Sequence, residues 1–215
     1  MTRIILFTLF LFSSCAGYRF QHRDNPFKQY GIKSVSVPMF YNQTPLANVS
    51  GVFTKEIFKM LTTFDNLKVV GGNKKSDATI IGIIQSEGRV IDTIIPSAPR
   101  SIRNIDDKDL TNSRSEFYIP SASTVQIVLR IIVIKDPTVQ EIEFLKSDMS
   151  KQDFVSSKII FSELVPLSSA FTREVVTGKN GEVIHTQNSG ALKKTIISLS
   201  KSASETFREM ILYAF

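Results

Sequence analysis

Ser198 and Lys201, in "SLSK", stand at the Ser-x-x-Lys spacing of a nucleophile and its base. The Lys-Thr-Gly and Ser-Asp-Asn companions of such enzymes are missing from the chain, so the match reads as chance in a Ser- and Lys-rich helix. The two histidines, His22 and His185, have no Cys or second His near them at ligand spacing, which gives no metal site to expect. "GGNKKS", from Gly71 to Ser76, lacks the Gly-Lys-Ser spacing of a phosphate-binding loop, and no Gly-x-Ser-x-Gly elbow occurs. The chain is read as a non-enzyme with no cofactor and no metal.

One reactive group is left, Cys15, the single cysteine among 215 residues. It follows an apolar run, Ile4 to Phe12, that has Arg3 before it and Ser13 and Ser14 after it. A membrane-spanning helix needs about 20 apolar residues, so this run is too short to span. A basic start, a short apolar core and small residues at a cleavage point are the parts of a secretory signal peptide. Cleavage before Cys15 would expose its thiol for acylation, and the arrangement resembles a bacterial lipobox, with Phe12 where that pattern has Leu. The alternative is an ordinary signal peptide with a leftover thiol, which in an exported protein would invite intermolecular pairing. The expectation is a signal peptide over 1–14, lipid attachment (palmitate) at Cys15 and a lipidated N-terminal segment over 15–31.

Removing that leader leaves 201 residues, enough for one domain with a sizeable core or at most two small ones, carrying 25 Lys and Arg against 20 Asp and Glu. A basic exported protein held at a membrane favours anionic partners such as phosphorylated lipids, and nucleic acid is not expected in that compartment. With a single Cys no internal disulfide can form, so burial must supply the stability.

The elements that could position binding groups follow from periodicity. "IKSVSVPMF", 32–40, alternates with Val35, Val37 and Met39 on one face, the pattern of a half-buried strand. Val49, Phe53, Ile57, Met60, Leu61 and Phe64 recur at helical steps, with Asn48 or Ser50 to cap them. A short strand at Leu67–Val70, a turn at "GGNKKSDA" and an extended run from Thr79 to about Ile91 come next. Residues 93–123, with three prolines and many serines, read as one long loop. Thr124–Ile134 is the strongest strand, and another lies around Lys158–Leu164. Leu192, Ile196, Leu199, Ala203, Phe207, Met210 and Ile211 form a helical stripe near the C-terminus. Together these predict a single α+β domain over 32–215: a two-layer sandwich whose mixed sheet of four or five strands carries two helices on one face and leaves the second face available.

On that second face the Thr124–Ile134 strand would present Thr124, Gln126, Val128, Arg130, Ile132 and Ile134, with Lys135 at its end. Arg can hold a phosphate through two parallel hydrogen bonds while the flanking Val and Ile accept hydrocarbon, so Arg130 and Lys135 are candidate contacts for a phosphorylated lipid. The competing reading makes Arg130 a charge that keeps an apolar strand from pairing with other chains. Arg100 and Arg103, in the 93–123 stretch, are the next candidates; with Lys108 and Arg114 they are balanced by Asp106, Asp107, Asp109 and Glu116.

"CAGYRF" from Cys15, "GIKSVSVPMFYNQT" at 31–44, "VFTKEIFKML" at 52–61, "LKVV" at 67–70 and "SDATIIGII" at 76–84 occur in an order and spacing that resembles the LPS-assembly lipoprotein family, LptE. The resemblance covers about 15–86; the later strand and last helix fit in outline, and Ala16 is inserted where the family has Gly-Tyr directly after the Cys. It implies an outer-membrane lipoprotein, facing the periplasm, that helps assemble and plugs a large β-barrel partner (LptD-like) and contacts lipopolysaccharide during delivery to the outer leaflet. Under that resemblance Arg130, Lys135, Arg100 and Arg103 are the candidate LPS contacts. The "VSVPMFYNQT" and "SDATIIG" pair also resembles periplasmic regulatory lipoproteins that activate peptidoglycan synthases or build secretion pores, and this is the alternative.

Overall fold

The computed structural model describes residues 24–86, 94–101, 118–146, 157–174 and 181–215. Alternating Ser and Val give β1, Ser34–Val37, whose Val35 and Val37 are buried. A two-residue strand, β2 (Tyr41–Asn42), precedes helix α1, Val49–Leu61. Asn48 does occupy the N-cap position of α1, in a left-handed conformation and without a side-chain capping bond. β3 (Lys68–Gly71), β4 (Ala78–Gln85), β5 (Ile94–Ser101), β6 (Tyr118–Lys135), helix α2 (Val139–Lys146), β7 (Ile159–Thr172) and helix α3 (Gly181–Ala214) complete the order.

The strands form one mixed sheet in the order β3-β1-β4-β6-β5, with β2 also on β4 and β7 on β6. β1 is parallel to β3 and β4, and β2 to β4, whereas β6 is antiparallel to all its neighbours. The α+β class is as expected, but among the described residues the sheet has seven strands rather than four or five. β6 is the reason. Its 18 residues, roughly 60 Å of strand, carry β4 along Val128–Lys135 and β5 along Tyr118–Val125 on one edge, and β7 along the other. The expected 93–123 loop is therefore strand at both flanks. The extended run expected to Ile91 ends as a strand at Gln85, and residues 87–93 and 102–117 lie outside the described residues.

α1 and α3 share the first face of the sheet. Val49, Phe53, Ile57 and Leu61 of α1 and Leu199, Ala203, Phe207 and Ile211 of α3 are buried in one cluster with Val35, Ile80, Leu129 and Ile131. Ser200 and Ser204 are also buried on α3, each donating its hydroxyl to a helix carbonyl three residues back, Ile197 O and Lys201 O, at 2.8 Å. Small, internally satisfied side chains let the two helices approach without orphaned polar groups. The last helix begins at Gly181, earlier than the stripe at Leu192, so His185 sits inside α3 and is exposed. At its other end Phe215 packs edge-on against Phe27 and Tyr30, with ring centroids 5.6 and 5.3 Å away, and closes the core.

A third helix corrects the expectation of an open second face. Leu145 and Ile142 of α2 pack on Ile81, Ile83, Ile132 and Ile134 from the side opposite α1 and α3. Among the described residues no helix is long and apolar enough to cross a membrane.

Candidate functional site

Side-chain alternation along β6 sorts the site. Val125, Ile127, Leu129, Ile131 and Val133 lie under the helices, each at most 1% exposed. On the second face Ile132 and Ile134 are buried beneath α2, whereas Thr124, Gln126, Val128 and Arg130 are half-buried beyond its edge. The pairing register sets Arg130 in a row across four strands: Tyr41 on β2, Ile83 on β4, Arg130 on β6 and Leu164 on β7. Tyr41 and Leu164, at the ends of this row, are 46% and 55% exposed, while Ile83 is fully buried. One cation thus stands in an apolar row flanked by two large exposed side chains. The next row carries Gln85 beside Val128 and Pro166, and Gln85 donates its amide to Gln43 Oε1 at 2.7 Å.

The short helix bordering this row is held by its own first turn. Thr138 N donates to Glu141 Oε2 at 2.7 Å, and Glu141 N donates back to Thr138 Oγ1 at 3.2 Å, the reciprocal bonds of a capping box. Lys158 Nζ reaches Glu141 Oε1 at 3.0 Å and ties α2 to the start of β7. The Thr138 N–H first, and Lys158 second, hold the Glu141 carboxyl below its ordinary value. At the far end of the sheet Asp77 accepts the Lys33 and Ser34 amides at 2.9 and 2.8 Å. The Lys33 N–H and then Ser34 lower its pKa, and the exposed carboxylate serves as a clamp between β1 and β4.

The structure separates the residues that the sequence grouped as candidate LPS contacts. Lys135 stands five positions after Arg130 on β6, so alternation turns it to the helix side, where its Nζ donates to Tyr30 O at 2.8 Å. Arg100 lies in β5 opposite Ile119, roughly 35 Å along β6 from Arg130. Arg103, Cys15 and His22 fall outside the described residues. Ser198 and Lys201 are exposed on α3. Among the described residues no group of three or more His, Cys, Asp or Glu could hold a metal. Tyr41 and Leu164 were not foreseen as neighbours of Arg130. Both belong to pairings between strands far apart in sequence, and a two-residue β2 has no period to read.

The layers and strand directions define an α+β fold, with a mixed sheet that is covered by two helices on one face and by a short helix on part of the other. No family model matches the chain, and no curated protein matches it. Among solved structures it is similar to rare lipoprotein B from Shewanella oneidensis, at 5% identity over 82% of this chain and 97% of that one, with a TM-score of 0.38. It is also similar to an uncharacterized lipoprotein B from Nitrosomonas europaea, at 13% identity over 88% and 85%, TM-score 0.38. A hypothetical protein from Chlamydia trachomatis aligns at 10% identity over 84% and 98%, TM-score 0.37. Likenesses this weak carry no inference about the role of this chain.

Proposed function

We propose that this chain is a lipid-anchored outer-membrane lipoprotein of the LPS-assembly type. It assists assembly of an LPS-translocating β-barrel, plugs it, and contacts LPS, with no catalytic step of its own. The observation that carries the reading is the row Tyr41, Ile83, Arg130 and Leu164, a guanidinium set among apolar side chains on the sheet face away from the main helices. A ligand that joins phosphate to acyl chains meets both demands of such a row: the fork of Arg pairs with phosphate, and the neighbours take hydrocarbon. The ordered resemblance over 15–86 supports the same class, and Cys15 supplies the anchor, since multiple acyl chains hold far more firmly than one.

Mild detergent extraction of the native envelope followed by co-purification tests this reading. A large barrel protein is expected with the chain, and Cys15→Ala is expected to abolish labelling by radioactive palmitate. Recovery of a peptidoglycan synthase, or of a homo-oligomeric ring, in place of the barrel would sink the reading in favour of a regulatory lipoprotein.

A further inference from the structure

A recess opens on the same sheet face as the Arg130 row, between the turn at Asn73–Ser76 and the start of α2, with a volume of about 350 Å³. Its floor is a pair of hydroxyls. Ser36 and Thr79 are 1% and 4% exposed, and their oxygens are 2.8 Å apart. One O–H bridges the pair, which leaves one donor hydrogen and spare acceptor lone pairs for a further partner.

The walls are of mixed character. Lys74 and Lys75 stand on the turn side, Asp136 and Glu143 on the helix side, and Ile142 adds an apolar flank. Asp136 adopts a left-handed φ of 41° and is fixed by its own N–H, which donates to Asp77 O at 2.9 Å. Two ammonium groups against two carboxylates give no net charge to favour a phosphate dianion. They suit a ligand whose adjacent groups both donate and accept: ring hydroxyls that donate to the carboxylates and accept from the ammonium groups and the buried hydroxyl pair. The C–H face of a ring would lie against Ile142. The volume is at the low end of the roughly 300–1,000 Å³ of small-molecule sites, which suits a single ring.

We propose that this recess is a saccharide subsite that takes one sugar ring. The proposal does not rest on the barrel reading, and either can fail alone. Amide shifts of the isotopically labelled full chain test it, with three probes: free N-acetylglucosamine, vesicles carrying an uncharged galactolipid, and inorganic phosphate. Saturable movement of Lys74, Ser76, Thr79 and Glu143 with either sugar source supports the subsite and tells whether a free glycan or a membrane headgroup reaches it. Movement with phosphate alone, or none that saturates, overturns it. Ser36→Ala with Thr79→Val removes both partners of the buried bond, a change that is close to neutral for folding, and should weaken sugar binding about tenfold or more. If that variant loses its native amide dispersion, Lys74→Ala with Lys75→Ala, at two exposed positions, should give the same loss; undiminished sugar binding in a folded variant overturns the proposal.

Discussion

Phe40 lies directly over Gly82, so closely that a Cβ placed on Gly82 would stand 2.3 Å from Phe40 Cδ2. Gly82 is in the middle of β4, the first-face neighbour of Ile80 and Ile84, and a strand interior ordinarily disfavours glycine. Here the missing side chain is what admits the ring. Gly82→Ala should cost about 1–3 kcal/mol through overpacking, read as a lower melting temperature by circular dichroism. Adding Phe40→Leu should recover part of that loss, because the two positions share one space. Equal melting temperatures for Gly82→Ala and wild type would show that the ring moves aside freely.

The helix layer makes its own demand. Phe53 of α1 and Phe207 of α3 are both fully buried in the same cluster. Truncating either to Ala leaves a cavity and should cost about 3–5 kcal/mol. Chemical denaturation checks this through a lower midpoint at an unchanged slope. The exposed Ile197 on α3, changed to Ala, should leave the midpoint where it is.

Asp77 links stability to pH. Its folded pKa lies below the ordinary value of 3.8, because the Lys33 and Ser34 amides stabilise the carboxylate. A depressed folded pKa contributes stability that is full above the unfolded value and is lost as the pH falls through the folded one. Wild type should therefore lose more stability than Asp77→Asn between about pH 5 and pH 2.5, and the two curves should run parallel near neutrality. Glu141 shifts in the same direction, held by Thr138 and Lys158, so some acid sensitivity should persist in the Asp77 variant. Parallel curves over the whole range would show that the Asp77 bonds add nothing to folding.

Much of this architecture was legible because it is local. The stripe Phe53, Ile57, Leu61 and the alternation of Val125, Ile127, Leu129 each name a buried face, and those residues are buried together. The misreadings have physical causes. Pro96, Pro99 and Pro120 made 93–123 resemble a loop, yet β5 is an edge strand, where a missing N–H costs little, and Pro99 pairs with Pro120. The first turns of α3, before Leu192, carry no apolar stripe, so periodicity could not mark their start. For α2 the signal was present, a Thr138-x-x-Glu141 capping box, but its eight residues are too few to show a stripe. Arg130 could be placed by counting along β6, whereas Tyr41 and Leu164 beside it depend on long-range register.

Arg130 and Lys135 turn to opposite sides of β6, so the two cations should behave differently when their charges are reversed. Lys135 spends its ammonium on the Tyr30 carbonyl, in the segment whose ring meets Phe215. Lys135→Glu should remove that bond and lower stability by about 0.5–1.5 kcal/mol, with LPS binding unchanged. Arg130 stands between Ile83 and Leu164 on the face away from that contact. Arg130→Glu should repel phosphate and lower LPS binding by purified, detergent-solubilised protein, while its circular dichroism spectrum stays native. Leu164→Asp should weaken binding in the same assay, because it places a charge where the row offers hydrocarbon a surface. Wild-type binding by both Arg130→Glu and Leu164→Asp, with the fold intact, would mean that this row is not the LPS contact; β4 and β7 already occupy both edges of β6 at Arg130, so guarding an open edge is not its role either.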